Sequence, residues 1–257
     1  MSETNTITLH NGVTIPTWGF DAEHVALEDA DAKIRTALEH GCRYLTIPLN
    51  HTFDKIAADA IRSSGIDPHD LILAGAVSPE KNDKDSVIHE TEISLRRLER
   101  TSIDLLLLRN PGGDAAMMSE PWHALETLYK KGMVRAIGVD RMGLTDIETM
   151  LQNAEISPMI GRVDLYPGLP QEETLTSAHD HRIEAEGCLP DQYEQLFEVP
   201  AIKTLASKYG ASCADVLQQY IKAKNCILLW PEPIEPKSKF YFTEEEMKVL
   251  DHIKNAL

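Results

Sequence analysis

Long apolar runs, closely spaced cysteines and an excess of basic charge are all missing from this chain of 257 residues, and each absence removes a class of function. No apolar run approaches the roughly 20 residues of a membrane-spanning helix. The four cysteines, Cys42, Cys188, Cys213 and Cys226, show neither CxxC nor metal-finger spacing, which argues against a disulfide framework or a zinc module. Lys+Arg 25 against Asp+Glu 41 leaves a net charge of −16, and a field of that sign repels nucleic acid and anionic membrane. Residues Met1 to His10 lack a basic, apolar, cleavable leader, so the expectation is a reduced, cytoplasmic protein without nucleic-acid or membrane partners.

What the chain does contain is alternation. Residues 102–111 read SIDLLLLRNP, an aliphatic run typical of a strand buried on both faces of a parallel sheet. Arg109 closes it at the C-terminal end, where parallel α/β proteins keep their chemistry. Ahead of it, Ile7 to Ile15 form two alternating arms around Asn11-Gly12, an N-terminal hairpin. Strands are then expected at 44–47, 71–77, 103–108, 134–139, 159–165, 183–187 and 227–230. Helices are expected at 28–40, 56–61, 85–99, before Gly132, and at 144–151, 171–180, 199–209, 214–223 and 243–253, the last with Thr243 and Glu246 at capping-box spacing. Each crossover is long enough for a right-handed βαβ unit. The fold expected is α/β, a (β/α)8 TIM barrel with an N-terminal β-hairpin, as one domain over residues 1–257. A doubly wound open sheet is the competitor, but no glycine-rich phosphate turn follows the first strand.

Residues 7–20, 37–45, 94–111, 125–139, 163–169, 205–221 and 243–250, including "DLLLLRNP" and "GMVRAIGV", together resemble the aldo-keto reductases. That resemblance implies NADPH lying across the barrel mouth and a tyrosine acid tuned by a lysine–aspartate pair, with a histidine orienting the carbonyl. Ungapped threading puts Thr46 at the aspartate position, His51 at the tyrosine, Ala76 at the lysine and Arg109 at the histidine. All four differ from the family. Thr46 brings no buried charge and Ala76 no cation to lower a neighbour's pKa. His51 could donate a proton as imidazolium, but Arg109 beside it would disfavour that form.

The nicotinamide contacts implied by the family fall on Asp140-Arg141, Arg162 and Cys188, and Asp21 replaces a glycine near the cofactor. The 2′-phosphate triplet falls on Pro231-Glu232-Pro233 by strand register, while Pro236-Lys237-Ser238 matches it literally, so Lys237 and Ser238 are the best remaining cofactor contacts. No cofactor is expected on this reading. The mouth then carries His51, Arg109, Asp140, Arg141, Arg162, Asp164 and Glu186. One reading has these charges pairing and plugging the pocket, since an unpaired buried charge is costly. Another has Arg109, Arg141 and Arg162 binding a small anionic molecule. A metal site from His51, Asp140 and Glu186 lacks a ligand spacing, and none is expected. Cys188 reads as a small apolar filler rather than a nucleophile. His179 and His181 read as exposed at a helix end, the three tryptophans as packing residues, and Met117-Met118 as either pocket lining or a cap.

Three functions follow from these residues. The first is an aldo-keto-reductase-like barrel that has lost carbonyl reduction and serves as a non-catalytic binding or regulatory protein. The second is an NAD(P)H-dependent oxidoreductase with a rebuilt site, using His51 or Tyr166 as proton donor. The third is a binder or non-redox enzyme for an anionic metabolite.

Overall fold

The aliphatic run at the centre of the sequence becomes the middle of a closed parallel barrel. A computed structural model of the chain describes residues 6–78, 83–109, 118–141, 143–234, 240–254 and 256–257, with backbone only for 144–146. Strands β1 (Thr6–Thr8) and β2 (Thr14–Pro16) form the N-terminal hairpin, antiparallel with Ile7 opposite Ile15. Gly12 in its turn has φ +90°, the left-handed backbone that glycine adopts without steric cost.

Eight parallel strands then close on themselves. They are β3 (Trp18–Asp21), β4 (Tyr44–Pro48), β5 (Ile72–Val77), β6 (Ile103–Arg109), β7 (Val134–Asp140), β8 (Ile160–Asp164), β9 (Glu184–Cys188) and β10 (Ile227–Trp230). The open-sheet alternative is excluded because β10 pairs with β3, Leu228 opposite Trp18. The outer layer consists of α1 (Leu27–Glu39), α2 (His51–Ser64), α3 (Lys84–Arg97), α4 (Ser119–Lys130), α5 (Leu144–Leu151), α6 (Glu172–Asp180), α7 (Pro200–Tyr209), α8 (Cys213–Ala223) and α9 (Glu244–Asp251). Among the described residues, no helix is long and apolar enough to cross a membrane.

Two elements differ from the sequence reading. Strand β3 was not anticipated, because Trp18-Gly19-Phe20-Asp21 is short and contains a glycine, yet all four residues are buried. Helix α2 begins at His51 rather than at Ile56. Its start is set by Asn50, whose side chain accepts from the Phe53 amide at 3.0 Å and satisfies a donor left free at the first turn. At α9 the capping box forms as its spacing predicts: Glu246 N donates to Thr243 Oγ1 at 3.3 Å and Thr243 N to Glu246 Oε2 at 2.8 Å.

The core is aliphatic and continuous. Leu105, Leu106, Leu107 and Leu108 are all fully buried, each contributing about 1.5–3 kcal/mol by leaving water. Packing is closest where β7 meets β8: a Cβ on Gly138 would lie 2.4 Å from the Ile160 carbonyl oxygen. Backbone cannot yield as a side-chain tip does. Gly138→Ala is therefore expected to cost about 1–3 kcal/mol through overpacking, read as a lower urea midpoint at unchanged slope; a midpoint equal to wild type would refute this account.

Candidate functional site

The C-terminal strand ends carry a row of alternating charge. In-register pairing sets Arg109 of β6 beside Asp140 of β7, Asp140 beside Arg162 of β8, and Arg162 beside Glu186 of β9. Registered neighbours on parallel strands project to the same side of the sheet. These four residues therefore form one layer closing the barrel, where aliphatic residues fill the layers below. Asp140, Arg162 and Glu186 are at most 1% exposed.

The layer is paired. Arg109 Nε donates to Asp140 Oδ2 at 2.5 Å, and Arg162 Nε to Glu186 Oε2 at 3.1 Å. The Tyr44 hydroxyl donates to Glu186 Oε1 from inside the barrel. Arg141, just past β7 with φ +52°, donates through Nε to Asp164 Oδ1 at 2.9 Å and lies 3.4 Å from Asp140. The paired arrangement expected of these charges is thus realised, with one addition that sequence reasoning missed.

That addition is Glu23. It stands in the loop after β3, and its side chain is only 3% exposed. Arg109 Nη2 donates to its Oε2 at 2.5 Å and Arg162 Nη1 to its Oε1 at 2.5 Å, while Arg141 Nη1 is 3.8 Å away. Residues 22–26 thereby form a strap over the mouth. His24 continues it, pairing with Asp191 at 2.5 Å and lying 3.3 Å from Arg141 Nη2. A signal did exist, since functional side chains follow barrel strands at this end; but with β3 unrecognised, Glu23 had no strand end to follow.

Of the four positions assigned by family resemblance, Ala76 and Arg109 line one cavity, and Thr46 lies on β4 next to the β5 strand that carries Ala76. His51 is exposed at the first turn of α2, behind the Asn50 cap, and makes none of the mouth's ion pairs among the described residues. Thr46 is buried and donates to Asp21 Oδ1 at 2.9 Å, so a buried carboxylate is present after all, on the adjacent strand. Ala76 borders a cavity of about 220 Å³ that also reaches Glu23, Leu49, Val77, Ser78 and Arg109. Lys237 and Ser238 lie outside the described residues, as does Met117.

Electrostatics follow from this crowding. Burial pushes the Glu23 carboxyl up, but Arg162 and Arg109 outweigh it and hold the group at about 2. Burial works against charge on Arg162 as well, and Glu23, Asp140 and Asp21 more than offset it, so the guanidinium stays protonated. Glu186 moves the other way: complete burial, then Asp21 and Glu23, raise it well above the ordinary carboxylate range. Burial likewise raises the Cys188 thiol well above its usual value. Its Sγ lies 3.4 Å from Asp164 Oδ1 and 3.5 Å from Arg141 Nη2, so it packs as a neutral thiol, not as a thiolate nucleophile.

Other singled-out residues are structural. Trp122 Nε1 donates to the Ile156 carbonyl at 3.2 Å, Trp230 packs on Tyr193, and Met118 is buried. His179 and His181 are exposed at the end of α6. Tyr166 is half-buried, raised above its ordinary value by burial and by Asp164.

Comparison with known proteins agrees with this architecture. The sequence pattern of the Aldo/keto reductase family matches residues 13–237. A glyoxal reductase of Bacillus subtilis is 30% identical over 217 residues, covering 84% of this chain and 78% of the relative. The crystal structure of an aldo/keto reductase from Brucella melitensis superposes with a TM-score of 0.86 at 23% identity, covering 96% of this chain and 98% of that one. A Gox0644 variant in complex with NADPH superposes with a TM-score of 0.85 at 20% identity, covering 97% and 93%. With the closed barrel, the hairpin and the family pattern spanning most of its length, this chain belongs to the aldo/keto reductase family of oxidoreductases.

Proposed function

We propose that this protein is an aldo-keto-reductase-like barrel that does not reduce carbonyls with NADPH and acts instead as a non-catalytic binding or regulatory protein. The observation that carries the proposal is Glu23, bound by Arg109 and Arg162 at the centre of the mouth where hydride transfer is expected. Carbonyl reduction needs a proton donor aimed at the developing alkoxide. His51, in place of the family's tyrosine acid, joins none of the mouth's ion pairs among the described residues, and Ala76 supplies no cation to tune an acid. The residues present do not fit a nicotinamide dinucleotide either. Buried Cys188 stands where the family has a stacking aromatic ring. Glu232, Asp191 and Glu194 share a cavity of about 230 Å³ between the loops after β3, β9 and β10 with Lys33 and His24, which pair with Glu232 and Asp191, so its bases are engaged by acids before any phosphate. The arginines of the mouth make a small anionic molecule in a cytoplasmic setting the partner class, while the chain's negative charge disfavours nucleic acid and membrane.

A second reading, an NAD(P)H-dependent oxidoreductase with a rebuilt site, is favoured by the names of the relatives, a glyoxal reductase and an NADPH complex among them. Titration with NADPH, followed by cofactor fluorescence and heat of binding, separates the two. No saturable binding at millimolar NADPH is the expected result. Saturation at micromolar concentration would overturn the proposal and put the oxidoreductase reading first.

A further inference from the structure

Glu23 differs from the other carboxylates of the mouth in how it arrives there. Asp140, Asp164 and Glu186 are strand residues, fixed by the ladder. Glu23 comes from a loop whose hold on the barrel beyond Ala22 rests mainly on side chains. The Val25 amide donates to the Ala22 carbonyl at 3.3 Å and the Glu23 amide to Asp21 Oδ1 at 3.1 Å. The helix that follows, α1, has Ala26 at its N-cap with no side-chain cap. The strap's remaining anchors are side chains: Glu23 itself, Val25 packed against the core, and His24 on Arg141 and on Asp191, the last 71% exposed.

Against this loop-borne carboxylate stands a cradle borne by strand ends. Arg109, Arg141 and Arg162 project from the ends of three consecutive strands, and guanidinium pairs of this kind select planar carboxylates. Arg162 is fully buried and its Nη2 makes no hydrogen bond to protein, so the cradle has donor capacity that Glu23 does not use. Beside Arg109 and Glu23 lies the cavity of about 220 Å³, with Leu49, Ala76 and Val77 on one side and Glu90, Thr91 and Ser94 of α3 on the other. That is smaller than the roughly 300–1,000 Å³ of drug-sized sites, and its apolar side suits a short aliphatic chain.

We propose that Glu23 is a tethered stand-in for a free ligand: the arginine cradle binds a short-chain monocarboxylate, whose carboxylate takes the place of the Glu23 carboxylate and whose tail enters the cavity beside Leu49, Ala76 and Val77. The strap 22–26 lifts as the ligand seats. Charge decides for a monocarboxylate over a phosphate. Asp21, Asp140 and Asp164 already surround the cradle, and a single negative charge replaces that of Glu23 like for like, whereas a dianion adds repulsion. The inference deepens the proposed binding role and rests on the mouth being free of nicotinamide.

The test is calorimetric titration of the full chain and of Glu23→Ala with butyrate, with inorganic phosphate and sodium chloride as controls. A tethered competitor acts at an effective concentration on the order of millimolar, so its removal is expected to tighten butyrate binding at least about tenfold. Butyrate, and not equal sodium chloride, is expected to raise the urea midpoint of Glu23→Ala. Adding Arg109→Met is expected to abolish the gain. Should Glu23→Ala not fold, His24→Ala keeps the carboxylate and loosens only the strap, and the same titration is expected to show tighter butyrate binding than wild type. Equal butyrate affinity in the variants and wild type, or a response that phosphate or chloride reproduces, overturns the inference. Saturable NADPH binding, in contrast, speaks to the proposed function and is read in a separate titration.

Discussion

Arg162→Met is expected to destabilise the protein by about 3–5 kcal/mol, the largest effect of any single substitution in the mouth. The reason is the asymmetry of buried ion pairs: removing one partner leaves the others charged and without water. Arg162 is shared by Glu23 and Glu186, with side-chain exposures of 3% and 0%, and Asp140 is its neighbour in register. Arg109 still binds Glu23 in the variant, but Glu186 keeps only Tyr44. Adding Glu186→Leu is expected to recover part of the loss, because that carboxyl no longer needs a partner; residues in one network do not add. Urea unfolding of the two variants at neutral pH checks both statements. An Arg162→Met midpoint that matches wild type would show that the layer contributes nothing to stability.

Acid is expected to remove much of the contribution of Glu23. Its carboxyl titrates near 4.5 in the unfolded chain and at about 2 in the fold. A depressed folded value means that the stabilisation is complete above the unfolded pKa and is lost as pH falls through the window from about 4.5 to about 2. The shift corresponds to about 3 kcal/mol. Comparing wild type with Glu23→Gln across that window isolates the group: wild type is expected to lose its advantage over the variant by that amount, and parallel curves would refute the assignment. Glu186 has the opposite sign. Its folded value is raised by burial and by Asp21 and Glu23, so its contribution is greatest below the unfolded pKa and declines as pH rises toward the folded value. Glu186→Gln is therefore expected to flatten stability above the ordinary carboxylate range, read in the same unfolding series.

The two carboxyls show why a closed charge layer can persist in a barrel. Five acids, Asp21, Glu23, Asp140, Asp164 and Glu186, face three arginines, Arg109, Arg141 and Arg162. If every acid were ionised the layer would carry excess buried negative charge, which is costly. Burial and the neighbouring acids Asp21 and Glu23 disfavour the charged form of Glu186, which eases that excess. Glu23 stays ionised because two guanidinium groups grip it directly.

Much of this protein was determined by sequence alone because its signals are local. Hydrophobic periodicity marked seven of the eight barrel strands, the Asn11-Gly12 turn placed the hairpin, and Thr243 with Glu246 placed the start of α9; each depends on residues a few positions apart. Alternation along β6 and β8 likewise put Arg109 and Arg162 on the inner face, since a strand's side chains change sides with every residue. Tertiary structure decided the rest. That Arg109, Asp140, Arg162 and Glu186 stand in one layer depends on register between strands some 20 to 30 residues apart in sequence, and no periodicity within a strand encodes register. That His51 opens α2 was decided by the Asn50 cap. Glu23 entered the mouth because β3, short and interrupted by glycine, is a strand only when β4 and β10 close the barrel around it. The identity of the central carboxylate was therefore fixed by barrel closure, where hydrogen bonding and burial outweigh the weak strand propensity of the segment itself.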